Sequence, residues 1–98
     1  MQVEVLTVPD CPNGPVLLAR LEQALTGRTE VHITQHVVTD LAEAQRRGMN
    51  GSPTLLLDGR DPFAAPGEVA SLSCRLYRDA HGRAAGAPSV SELRRVLS

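Results

Sequence analysis

The feature that most restricts this chain is a cysteine set at a corner. Residues Gln2 to Val8 alternate apolar and polar positions and are rich in valine, the pattern of a strand that buries one face. They run into Pro9-Asp10-Cys11-Pro12-Asn13-Gly14-Pro15, and from Val16 to Leu25 the apolar residues recur at helical spacing. Cys11 is therefore carried where a strand ends and a helix begins. Free N–H groups and the positive end of the macrodipole stabilise an anion at such a place, so the thiol is a candidate nucleophile. Its other reading is an unreactive, partly buried thiol.

The totals bound what else the chain can be. Its 98 residues make a single domain, 1–98. Phe63 and Tyr77 are the only Phe, Tyr or Trp residues, so the core must come from Leu, Val, Ile and Ala. The formal charge of −1 gives no reason to expect nucleic acid or membrane as partner. All ten basic residues are arginine, which excludes a lysine nucleophile or Schiff base. No apolar run approaches the roughly 20 residues that span a bilayer, and the start lacks a signal-peptide layout. The expectation is a cytoplasmic protein whose Cys11 and Cys74 are reduced at rest.

The rest of the chain supplies scaffold. Leu17, Leu18, Leu21, Ala24 and Leu25 share one helix face, and Gly27 is the stop signal. Glu30 to Val38 reads as an edge strand with Val31, Ile33 and Val37 on one face and His32, Thr34 and His36 on the other. Asp40 to Glu43 opens a short helix that ends at Gly48. A Ser52–Pro53 bond and a buried strand, Thr54 to Leu57, follow. Arg60 to Ser73, with Pro62, Pro66 and Gly67, reads as a long loop. Ser73 to Arg78 is the next strand, Asp79-Ala80-His81-Gly82 a turn, and Arg83 to Gly86 a short returning strand. Ser89 to Glu92 is a capping box that opens a last helix with Val90, Leu93, Val96 and Leu97 inward. The order is β-α-β-α-β-β-α, an α/β fold whose first half must give parallel strands.

In this order, Cys11 after the first strand and the run Arg47-Gly48-Met49-Asn50-Gly51-Ser52-Pro53-Thr54-Leu55-Leu56-Leu57 resemble the thioredoxin superfamily in its small, glutaredoxin-like form. The resemblance covers about residues 2–58 and 83–97 and leaves 60–78 unmatched. It implies a mixed four-stranded sheet with flanking helices. It also implies a cis Ser52–Pro53 bond packed against the Cys11 corner, with Pro12, Asn13, Gly14, Ser52 and Pro53 around a small thiol or an extended peptide substrate. The sequence departs from that family where Gly14 replaces a second cysteine, where Asp10 replaces an aromatic, and where the enlarged loop ends near Cys74.

A second stretch, from Gly51-Ser52-Pro53-Thr54 through Asp61-Pro62-Phe63 to Ser71-Leu72-Ser73-Cys74-Arg75-Leu76-Tyr77, is similar to small bacterial proteins grouped with the alkylmercury lyases. That chemistry uses two cysteines and an aspartate; here Cys11, Cys74 and Asp10 are the candidates, with Asp58 and Asp61 behind them.

Three functions follow as expectations. The first is thiol–disulfide exchange by Cys11, with Cys74 or glutathione as the resolving thiol and no bound cofactor. The second is capture of mercury or an organomercurial by Cys11 and Cys74, with lyase action as its stronger form. The third is a non-catalytic interaction module. Cys74 has a core-filling reading, and Asp10 is either a helix cap or a proton donor and acceptor beside Cys11. His32 and His36 read as an exposed edge face and His81 as solvated. Arg46, Arg47, Arg94 and Arg95 read as helix C-terminal cations.

Overall fold

The alternation at the start of the chain produces strand β1, Gln2–Thr7, and the main sheet is assembled on it. The computed structural model describes residues 1–79 and 81–98; Ala80, expected in a turn, lies outside the described residues. Strand β2, His32–Val37, pairs parallel to β1 with Val3 opposite Ile33. Strand β4, Thr54–Leu57, pairs antiparallel on the other side with Val5 opposite Leu55. The sheet is thus mixed, in the order β2-β1-β4, with β1 central.

Helices cover both faces. Helix α1, Asn13–Ala24, and helix α3, Val90–Leu97, bring Leu17, Leu21, Leu93 and Leu97 against Val3, Val5 and Leu55. Helix α2, Leu41–Arg47, supplies Ala44 to a second cluster with Leu6, Val38, Met49 and Leu56. Each fully buried leucine contributes about 1.5–3 kcal/mol, so this packing dominates the stability of the α/β domain. Both ends of α2 and the start of α3 match their sequence signals. Asp40 Oδ1 accepts from the Glu43 N–H, Gly48 closes α2 at φ 76°, and Ser89 and Glu92 form a complete capping box.

Helix α1 begins at Asn13, with Pro15 among first-turn positions whose N–H groups have no intrahelical partner. Strand β2 lies at the sheet edge, as its half-polar pattern suggests, and Ile33 and Val37 on its apolar face are 40% and 54% exposed: the cluster under α1 and α3 takes in Val31 but reaches no further along this edge. The expected strand from Ser73 to Arg78 is two strands with different partners, so no fourth strand joins β4 among the described residues. Its first part is β5, Ser71–Cys74, parallel to β3, Asn50–Ser52. Its second is β6, Tyr77–Arg78, antiparallel to β7, Ala84–Ala85. Asp79 Oδ1 accepts from the N–H groups of His81 and Arg83 to close the β6–β7 turn.

Candidate functional site around Cys11, Ser52 and Cys74

The corner is built by a turn. The Cys11 N–H donates to the Val8 carbonyl at 3.3 Å, with Pro9 and Asp10 between them and Asp10 at φ 59°. Proline second and a positive φ third is the arrangement of a type II turn. It leaves Asp10 exposed and two residues short of the N-cap of α1, which is Pro12 and carries no side-chain cap bond. Asp10 therefore does not cap the helix. Cys11 is half-buried and a free thiol. Gly14 is buried close to Thr7, where a Cβ would lie 3.1 Å from Thr7 Cγ2. The Asn13 side chain lies over Gly86, where a Cβ would fall 2.3 Å from Asn13 Nδ2.

Ser52 ties this corner to the second cysteine. Its Oγ accepts from the Val8 N–H at 3.0 Å, three residues before Cys11. Its carbonyl accepts from the Arg75 N–H at 3.0 Å, and its Cα is the register partner of Cys74 across the β3–β5 pair. Neighbouring strands run about 4.8 Å apart. Ser52 thus lies between the segment that leads to Cys11 and the one that ends in Cys74. Cys74 is a free, exposed thiol, which removes its core-filling reading. Ser52 and Pro53 are buried, and the bond between them is cis.

A polar cluster holds the second segment in place. The Arg75 side chain is 6% exposed and pairs with an equally buried Asp61 carboxylate. Its Nη2 also donates to the Phe63 carbonyl at 3.0 Å, and Asn50 Nδ2 donates to Asp61 Oδ2 at 3.0 Å. The guanidinium lies 4.6 Å from the centroid of the Tyr77 ring, which meets Phe63 edge to face. The Tyr77 hydroxyl donates to the Pro53 carbonyl. Burial pushes the Tyr77 phenol above its ordinary pKa; Arg75 opposes this, while charge on Asp61, Glu68 and the Cys11 sulfur adds to it. For Arg75, burial works against the cation, yet the bond to Asp61 carries its pKa above the usual arginine value. Tyr77 is thus bonded to Pro53, the neighbour of the Ser52 whose hydroxyl meets the Cys11 segment.

Arg75 and Tyr77 are the site-forming residues that sequence reasoning missed. The available signal was an arginine between strand residues, with an aspartate inside the preceding loop. Two pockets of about 330 and 320 Å³ border Tyr77; Phe63, Glu68 and Arg75 line the first, and Arg20 and Glu92 the second. His36 Nε2 lies 3.7 Å from Glu4 Oε2, an acid supplied by the neighbouring strand. No group of three or more His, Cys, Asp or Glu suited to a metal ion occurs among the described residues. No helix among them is long and apolar enough to cross a membrane.

No family model, curated protein or solved structure matches this chain. Its function has to be read from the geometry of the corner.

Proposed function

We propose that this chain is a thioredoxin-like thiol protein that exchanges disulfides through Cys11, with Cys74 or a glutathione-class thiol resolving the intermediate. The observation that carries the reading is Ser52, which bonds to the Cys11 segment through its side chain and to the Cys74 segment through its backbone. A substrate R–S–S–R′ is attacked by the Cys11 thiolate, which forms Cys11–S–S–R and expels R′S⁻. The Cys74 thiolate then attacks the Cys11 sulfur, expels RS⁻ and closes a Cys11–Cys74 disulfide. Two equivalents of a glutathione-class thiol reduce that bond and leave as their own disulfide. This cycle suits a reducing, cytoplasmic setting.

The same two thiols support a second reading, capture of Hg(II) or an organomercurial as a bis-thiolate with loss of both thiol protons. Asp61 is held by Arg75, and Asp58 accepts from the Gln2 N–H, which leaves Asp10, next to Cys11 in the chain, as this reading's carboxyl for protonating a carbon–mercury bond. One mercury per chain by mass spectrometry, lost on replacing either cysteine, is the result this reading requires.

Turnover of a glutathione mixed disulfide tests the first reading. Cys11→Ser is expected to abolish it; Cys74→Ser lets the mixed disulfide on Cys11 accumulate if Cys74 is the resolving thiol and leaves turnover intact if the external thiol is. Unchanged turnover in Cys11→Ser would sink the proposal.

A further inference from the structure

We infer that β5 is a built-in strand filling the β3 edge beside the Cys11 corner, so that the site accepts low-molecular-weight disulfides and excludes polypeptide ones. The inference rests on the reading of Cys11 as an exchanging thiol and adds the class of substrate. An extended polypeptide is commonly bound by adding a strand to an open sheet edge, where its main chain finds unpaired N–H and carbonyl groups. Next to Cys11 the segment placed to offer such an edge is β3, and its main chain is already engaged. Thr54 Oγ1 accepts from the Asn50 N–H and donates to the Gly51 carbonyl. Along β5, the Ser71 N–H donates to the Met49 carbonyl and the Arg75 N–H to the Ser52 carbonyl, each at 3.0 Å.

The fit on that side is close. Gly51 sits at φ 114°, and a Cβ there would lie 3.0 Å from Arg75 Cβ and 3.1 Å from the Ser73 carbonyl oxygen. Only a glycine lets the two backbones approach this far. Just past β5 the chain is fixed again by the buried Arg75–Asp61 pair and by the Tyr77 bond to Pro53. A polypeptide that added to β3 would have to break all of these contacts and replace them. A small disulfide needs none of them.

The test compares a glutathione mixed disulfide of a small thiol with insulin as substrates of the full chain. It is combined with hydrogen exchange at the Ser71 and Arg75 amides. The expected result is turnover of the small substrate, insulin reduction at background, and slow exchange at both amides. Ser71→Pro removes the N–H that bonds to Met49 and is expected to raise insulin reduction while the small substrate is still turned over. Insulin reduction by the unaltered chain within about tenfold of the small-substrate rate, a gap of ~1.4 kcal/mol in barrier, would overturn the inference. So would rapid exchange at both amides. Failure to reduce either substrate would instead defeat the thiol-exchange reading, and the inference with it. The comparison in the unaltered chain stands even if Ser71→Pro does not fold.

Discussion

Cys11 hangs from a part of the molecule held by apolar packing, whereas Cys74 hangs from a part held by a buried ion pair. Around the first, β1 is clamped by Leu17 and Leu21 on one face and by Val38 and Met49 on the other. Around the second, β5 and the loop before it are fixed by Arg75, which engages Asp61, Phe63 and Tyr77. Apolar packing is non-directional and tolerates small shifts, while a buried ion pair holds one geometry and fails badly when half of it is removed. The segments that carry the two thiols meet at Ser52 but belong to regions with different modes of failure.

The sharpest way to break this contrast is to remove Arg75. Arg75→Met leaves the Asp61 carboxylate buried without its partner and is expected to cost about 3–5 kcal/mol in urea unfolding. The loss should begin locally, with protease cutting within 61–74 before the domain as a whole unfolds. Leu17→Ala should cost a comparable ~2–5 kcal/mol. It should lower the unfolding midpoint without opening 61–74 first. Identical proteolysis patterns in the two variants would erase the distinction.

The strength of the contrast also reflects how each region was encoded. The corner was legible because a strand alternates with period two and a helix with period 3.6, so Val3, Val5, Leu17, Leu21 and Leu25 announce their faces. Asp40, Gly48 and Ser89 mark helix ends for an equally local reason. The buried Arg75–Asp61 pair was not legible in this way. Arg75 and Asp61 are fourteen positions apart, and each alone reads as an ordinary surface charge. Nothing periodic links them, because their pairing depends on how a proline-containing loop folds back. Asp10 misled for a related reason: its residue type favours a cap, but the turn it occupies carries it away from the helix. The edge face of β2 shows the converse failure, since period two located the face but not the limit of the helices that cover it.

Alkaline titration probes the Tyr77 contact beside the Arg75–Asp61 pair. The native phenol of Tyr77 is held above its ordinary pKa, so the folded state keeps a proton that the unfolded chain gives up. This contribution is intact below the ordinary tyrosine pKa of about 10 and is lost as pH rises beyond it, by up to about 1.4 kcal/mol per pH unit. Tyr77→Phe should remove that part of the slope. Tyr77 is the only tyrosine, so phenolate absorbance reports it alone. An ordinary titration curve in the native protein would show that the hydroxyl is not enclosed against Pro53. At the small end, Ser89→Ala should cost about 1 kcal/mol. That would leave the cap of α3 a minor term beside the packing of Leu93 and Leu97.

The union of the two thiols at one corner is tested most directly by peptide mapping after oxidation with a small disulfide. Cleavage after arginine separates Cys11 from Cys74. A single intramolecular Cys11–Cys74 cross-link is the expected main product at low protein concentration. Stable mixed disulfides on each cysteine separately, with no cross-linked peptide, would contradict it.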